Sequence, residues 1–585
     1  MPLVYVVAII WLNAYICRDW LTHPTAWMNS LHGSQAALAR NGVSWTPQWW
    51  PYWDCGIPLE FTSAPLVPAI GHAIIAVRHI SPLLAYQTVS AIFYCAAPLA
   101  LFLLGWSMTS APGWSFFAAL FYSLLSPAQI LAPEGKFTWA GFLEPHRFKL
   151  QGVWDETPHC AALAFLLIFV LFLVRAIDSR RATHLALAAI ALALAILAWP
   201  FAIFGALLTA MCLFSIRGLA GWRALAAILW ALTIASRFLP PSLWNAIGVA
   251  SAAHDPWSFG IVKCYAGIAV VWFTLEHFLR RAKDWRLPFF ALWAFAMSAP
   301  PLLQVWFVRL VMPEAHRFRL EMEAAVALLI VFGARALIDR MPRVARVAVA
   351  AIAIACALPL TIAHRRAAKD VLYPADATRT VEYRTAQRIP GGVRVLAPGS
   401  IGHWADLFTP LLQFGGAEGT MAYNQVQQQA LKSVFEGKPD STALLNAYGV
   451  GAIVVPGASS AEFWKPFSHP EAFSTLPVLS NEEGIAIYAI PQAAASLTWR
   501  DRNHFRVHTL DATVAVSYHP GWRASIAGRR VEVRPDRFGL MQLPSSEPAD
   551  VDFAYDGGLE LRLCGWLTIL ATLSAVWVAV RGGLR

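Results

Sequence analysis

The chain has 585 residues, 57% of them hydrophobic and only 14% charged, which excludes an ordinary soluble domain and points to an integral membrane protein. Its net charge of +10 does not mark a nucleic-acid binder, because the arginines cluster in short loops between apolar runs rather than along one polar face. None of the eight cysteines falls between His364 and Arg562, so that stretch does not depend on disulfides.

A membrane helix needs about 20 apolar residues, with a range of about 17 to 25. The first run, Pro2 to Cys17, lacks a basic leading segment and a small-residue cleavage site, and reads as a retained helix. Arg18-Asp19-Trp20-Leu21-Thr22-His23 then opens a long loop rich in Trp and Pro, including Trp45-Thr46-Pro47-Gln48-Trp49-Trp50 and Cys55-Gly56-Ile57-Pro58. Pro65 to Val77, broken by Pro68, Gly71 and His72, reads as a helix lying at the membrane surface. Further spans are expected at 82–106, 114–132, 159–176, 183–199, 200–216, 222–239, 259–279, 287–308, 320–338, 343–363 and 563–580, about twelve in all. The stretch 183–216 can also be read as one helix kinked at Pro200; two spans are preferred because Trp199-Pro200 suits a turn at the interface.

The basic loops at 175–181, 217–223, 280–286 and 335–346 and the tail at 581–585 should be cytoplasmic by the positive-inside rule. Alternation then puts both termini inside, and the loops 133–158, 240–258 and 309–319 outside with everything from 364 to 562. The expected organisation is a transmembrane domain over 1–363 with a first outer loop at 19–81, followed by an α/β region over 364–497. A β-sandwich over 498–562 then leads into a C-terminal helix and basic tail at 563–585. Strands are expected at 394–397, 451–455 and 484–490 with helices at 425–436 and 441–448, and the sandwich strands at 505–510, 512–518, 523–527, 530–534, 539–543 and 551–555.

Three clusters on the expected outer face carry ionisable groups. Asp19 sits at the membrane boundary, where a charged side chain is costly and tends to be functional, with a solvated helix cap as the alternative; His23 follows four residues on. The second cluster comprises Glu134, Lys136, Glu144, His146, Arg147, Lys149, Asp155, Glu156 and His159. Asp155-Glu156 directly precedes a membrane helix, where carboxylates suit either the helix dipole or a divalent cation such as Mg or Mn. The third is Glu314-Ala315-His316-Arg317-Phe318-Arg319-Leu320-Glu321. Arginine in an outer loop runs against the positive-inside trend and suits a two-pronged grip on phosphate, with lipid-headgroup anchoring as the alternative. No P-loop, dinucleotide fingerprint, zinc-protease motif or serine nucleophile elbow is present at a convincing position.

The acidic residue after the first helix, the Gly42, Trp45-Thr46-Pro47 and Gly56-Ile57-Pro58 pattern, the His316-Arg317-Phe318 loop, and Tyr518-His519-Pro520-Gly521-Trp522-Arg523-Ala524-Ser525-Ile526-Ala527-Gly528 before the last span carry a family resemblance. On these residues the chain resembles a GT-C type polytopic membrane glycosyltransferase of the YfhO-like group and its pyruvoyl-tetrahydropterin-synthase-related membrane relatives. The resemblance implies a multi-pass enzyme of the bacterial cytoplasmic (inner) membrane. Such an enzyme moves a sugar from a polyprenyl-phosphate donor to a glycan, lipid or protein acceptor on the extracytoplasmic face. It implies Asp19 as base, Asp155 and Glu156 as metal ligands, and His23 or His32 downstream of the acid, the spacing to Gly42 fitting His32 better. Glu144, His146, Arg147, His316, Arg317 and Arg319 are the expected substrate-binding residues. A transporter or assembly factor for envelope lipids or polysaccharide is the alternative class, distinguished by inverted repeats and charges deep in spans, of which the sequence shows neither.

Overall fold

The computed structural model describes residues 2–583 apart from 25–31, 63, 134–137, 255–258, 283, 372–375, 417–422, 492–496, 510–512 and 545–547; Glu134 and Lys136 of the second cluster lie outside the described residues. Among the described residues, seven helices are long and apolar enough to cross a membrane: Pro82–Thr109, Thr157–Ser179, Ala202–Ala235, Gly260–Leu279, Arg286–Phe307, Arg343–Val371 and Gly558–Arg581. Shorter apolar helices run over Pro2–Cys17, Leu66–Arg78 and Ala182–Ala198. Each expected span falls on a helix, but several are shorter than a bilayer crossing, and the count of twelve does not follow from helix length. The stretch 183–216 is two helices, Ala182–Ala198 and Ala202–Arg217, separated at Pro200, which has no N–H to continue the ladder. Gly218, at φ 58, and a 3-10 turn over Gly218–Gly221 then interrupt the 34-residue Ala202–Ala235 run. The connection read as a loop over 240–258 holds a helix, Pro241–His254, with proline in its first position.

The most buried span is Thr157–Ser179, with 78% of its apolar window inside the protein. It packs on Pro82–Thr109 and Ala182–Ala198, whose facing alanines permit close approach.

Beyond the bundle, a five-stranded sheet has the order 412–413, 394–396, 450–456, 485–489, 478–482, parallel on one side and antiparallel on the other. The helices Gln425–Phe435 and Ser441–Ala447 fall where expected, and Val381–Arg388 and Gly399–Phe408 were not anticipated. The C-terminal β unit pairs a five-stranded sheet in the order 529–531, 522–526, 549–555, 504–509, 497–501 with a three-stranded sheet made from 513–517, 540–542 and 534–535.

The Trp-rich loop is a rivet between these layers. Trp49–Trp50 pairs antiparallel with Ile57–Pro58. Trp49 packs with Phe505, Trp522 and Tyr555 in the core of the β unit, while Cys55 packs with Phe414, Tyr448 and Ile453 in that of the α/β unit. The backbone of the turn is bonded on both sides: Cys55 N–H donates to the Gln413 carbonyl at 3.0 Å, and its own carbonyl accepts from Ser517 N–H at 3.0 Å. Gly56 is needed here, since its φ is 91° and a Cβ would lie 2.4 Å from Trp49 Nε1. Arg237 holds the same loop to the bundle through the Trp45 carbonyl at 3.0 Å and the buried carboxylate of Glu60.

Candidate active site

A cavity of about 340 Å³ opens at the end of the bundle that carries the two β-containing units, lined by Leu150, Trp154, Glu156, His159, His316, Arg317 and Arg319. Two sequence-distant stretches, 150–159 and 316–319, supply it. The helix His146–Val153 contributes Leu150, Glu156 and His159 stand at the start of Thr157–Ser179, and a 3-10 turn over Ala315–Phe318 leads into the helix Arg319–Ile338. Pro158 in the first turn fixes where the Thr157 helix begins, and so places Glu156 just outside it and His159 within the first turn.

His159 is the most constrained group. Its Nδ1 lies 3.3 Å from Glu156 Oε2, and its Nε2 lies 2.9 and 3.0 Å from the oxygens of Glu321. An imidazole with both nitrogens facing carboxylates can donate from both only as imidazolium. Its ring stacks on Trp199 at a centroid distance of 3.9 Å, where an aromatic face favours a cation. Glu156 also faces Arg317, whose Nε is 3.5 Å from Oε1, and the same nitrogen meets Glu314 at 2.9 Å. Burial alone would raise the Glu156 carboxyl, but the Arg317 charge and the His159 hydrogen bond outweigh it and hold it at about 2. His316 moves down from its ordinary value, chiefly through burial. The cavity thus offers two guanidinium groups, an ionised carboxylate and a histidine ring held between carboxylates around one volume.

Asp155 and Glu156 diverge. Asp155 takes a left-handed φ of 58°, and this reversal turns its side chain inward. There it accepts the Tyr86 hydroxyl hydrogen bond and lies 3.3 Å from His32 Nε2. Burial raises its carboxyl, with His32 acting against the shift. His32 is thus the histidine that meets an acid of the second cluster, with the Gln151 carbonyl 3.4 Å from the same nitrogen. The metal expectation meets a donor set already engaged: Asp155 with Tyr86 and His32, Glu156 with His159 and Arg317. Among the described residues no group of three or more His, Cys, Asp or Glu side chains gathers for a metal ion.

Asp19 does not line the cavity. It forms a two-pronged pair with Arg365, at 2.8 and 2.7 Å, and Arg365 also donates to the Ile16 carbonyl at 3.2 Å. Burial opposes ionisation of Asp19, but the Arg365 hydrogen bonds and charge hold its carboxyl below the usual value. His23 stays beside Asp19, its backbone N–H bonded to the Asp19 carbonyl at 3.4 Å. Glu144 pairs with Lys149 at the surface. His146 turns into the bundle to meet Glu323 at 3.0 Å. Arg147 is buried there too, donating to the Tyr94 carbonyl at 2.7 Å and to Asn13 Oδ1 at 2.5 Å, with its guanidinium 3.9 Å from the Tyr94 ring centroid.

Of the expected site residues, Glu156, His316, Arg317 and Arg319 therefore share one cavity, while Asp19, His23, Glu144, His146 and Arg147 lie outside its lining. Sequence reasoning missed Arg365 as the Asp19 partner and Trp199 as the platform under His159. The first had a signal, since Arg365-Arg366 follows an apolar run at the end opposite a basic loop; the second had none.

No protein-family model and no curated protein matches the sequence. Among solved structures, the apo oligosaccharyltransferase of Archaeoglobus fulgidus is similar at a TM-score of 0.45 and 13% identity, covering 78% of this chain and 69% of that one. The arabinofuranosyltransferase AftD from Mycobacteria is similar at 0.44 and 11%, covering 94% of this chain and 60% of that one. The chain thus spans less than two thirds of the arabinofuranosyltransferase. At these scores and identities neither likeness bears on what this chain does, and the functional reading rests on the cavity.

Proposed function

We propose that the protein is a membrane glycosyltransferase that moves a sugar from a polyprenyl-phosphate donor to a glycan, lipid or protein acceptor, as the GT-C, YfhO-like resemblance implies. The supporting observation is the convergence of Arg317, Arg319, His316, Glu156 and His159 on one cavity at the end of the membrane bundle. The donor's isoprenoid chain stays in the bilayer while its phosphate reaches the two guanidinium groups. In this reading the cavity end of the bundle is extracytoplasmic, since the opposite ends of its helices carry the basic loops.

The acceptor oxygen attacks the anomeric carbon, and the bond from that carbon to the donor phosphate oxygen breaks. Negative charge grows on the departing phosphate, where Arg317 and Arg319 stabilise it; no acid is needed for so weakly basic a leaving group. As the new bond forms, the acceptor hydroxyl becomes an oxonium, far more acidic than a free alcohol. A carboxylate as weakly basic as Glu156 can then take its proton. His159, held by Glu321, fixes the Glu156 rotamer. Asp19 acts as a structural pin in this scheme, and no step passes through a cation.

The test is transfer from a radiolabelled polyprenyl-phosphate sugar in reconstituted vesicles. Arg319→Gln and Glu156→Gln should each lower the rate by about 10²–10³ in protein that still folds. Wild-type rates in both variants would refute the assignment. If the protein instead guides lipid as a transporter or assembly factor, deleting it would strand the donor on the inner leaflet rather than leave it unused on the outer one.

A further inference from the structure

A groove of about 680 Å³ lies away from the candidate site, between the helices Pro112–Leu124, Arg319–Ile338 and Arg343–Val371. Its walls are almost wholly apolar. Trp114, Phe117 and Phe121 face the small side chains of Ala350 and Ala353, and the mismatch in size leaves the space open. The Arg343–Val371 helix is little covered by protein: 17% of its apolar window is buried, against 78% for Thr157–Ser179.

One end of the groove is polar, formed by Asp339, Arg343 and Arg346. Asp339 already pairs with Arg335 at 3.1 Å. Arg343 and Arg346 stand three residues apart, on one face of the helix. Both are exposed, at a helix-to-helix junction that carries Arg335, Arg340, Arg343 and Arg346 within twelve residues. An apolar trough inside a membrane does not remain empty, and one closed at a single end by two guanidinium groups matches an amphiphile with hydrocarbon chains and an anionic head. A neighbouring protein helix would fit less well, since close helix pairing wants small residues on both sides and this wall is aromatic.

We infer that this groove binds an anionic glycerophospholipid of the bilayer, with its acyl chains between the Pro112–Leu124 and Arg343–Val371 helices and its phosphate against Arg343 and Arg346. The site is separate from the cavity at Arg317 and Arg319, which lies at the other end of the Arg319–Ile338 helix. The lipid fills the gap behind a helix that carries Arg365, the partner of Asp19, and then leads into the α/β unit.

The experiment is native mass spectrometry of the full-length protein, purified in detergent and equilibrated with equal amounts of phosphatidylglycerol and phosphatidylcholine. Wild type should retain phosphatidylglycerol roughly ten- to thirtyfold over phosphatidylcholine, the preference expected of two arginines near a phosphate. The double substitution Arg343→Gln, Arg346→Gln should reduce that preference to about onefold while phosphatidylcholine binding persists. Ala353→Trp, which fills the trough without touching the charges, should lower retention of both lipids. A wild type without preference, a charge-neutral variant that keeps it, or displacement of phosphatidylglycerol by an equal amount of undecaprenyl phosphate would each overturn the inference.

Discussion

Asp19→Asn separates two roles for the first acidic residue of the chain. The Asp19–Arg365 pair has side chains 12% and 4% exposed, with both guanidinium nitrogens bonded at 2.7–2.8 Å. An exposed ion pair contributes about 0–1 kcal/mol, whereas removing one partner of a buried pair costs about 3–5 kcal/mol because the other charge is stranded. This pair lies nearer the buried limit, but Asp19 retains some solvent and Arg365 keeps its bond to the Ile16 carbonyl. The substitution should therefore cost about 2–4 kcal/mol. Thermal unfolding in detergent, with and without Arg365→Gln, reads it: the double variant should lose less than the sum of the single ones. Because burial is outweighed by Arg365 and the folded carboxyl is lowered, the contribution is present above the unfolded aspartate value of about 3.9. It is lost as pH falls through the lower folded value, and the Asn variant should lack this acid limb. Transfer per folded molecule should stay near wild type. A variant that melts like wild type but no longer transfers sugar would refute the pin and return Asp19 to the role of base.

In the α/β unit, burial pushes the Asp406 carboxyl up to about 8 against the Trp53 and Gln413 hydrogen bonds. The unfolded state then binds fewer protons than the folded one between about pH 4 and pH 8, so stability falls as pH rises through that window. Asp406→Asn should flatten the fall and stabilise the protein by about 1–3 kcal/mol at pH 8, measured by chemical unfolding at several pH values; an unchanged slope would contradict the assignment. Gly56→Ala should open the contact between the Trp-rich loop and both β-containing units, since the added methyl meets Trp49 at 2.4 Å in a left-handed turn; limited proteolysis would report faster cleavage within the Trp-rich loop. Glu321→Gln removes one of the two carboxylates that hold His159, and should lower the transfer rate while leaving the apparent donor affinity within about threefold. A rise in donor KM alone would place Glu321 in ground-state binding instead.

Much of the architecture was legible because membrane helices and amphipathic strands obey simple rules of length and period. The apolar runs fell on helices, and the strands near 394, 451, 485, 505, 523 and 551 fell within a residue or two of those observed, since each carries its own hydrophobic pattern. The count of spans was less accessible, because whether Trp222–Ala235 or Pro112–Leu124 crosses a bilayer depends on packing and tilt rather than composition.

The site divides in the same way. His316, Arg317 and Arg319 stood out as arginine in an unexpected loop, and Asp155-Glu156 as paired carboxylates at a helix start, both local facts of sequence. That Glu156 faces the cavity while Asp155 turns to Tyr86 and His32 is decided by one left-handed residue and by a helix residue 69 positions upstream. That Asp19 meets Arg365 depends on a contact across 346 positions. The Trp-rich loop stood out in the sequence only by its composition; its tryptophan and cysteine side chains became core because two separate units fold against it. Local pattern fixes which segments are buried in lipid or protein, whereas the pairing of charges between distant segments is set by how those segments pack, which no local pattern encodes.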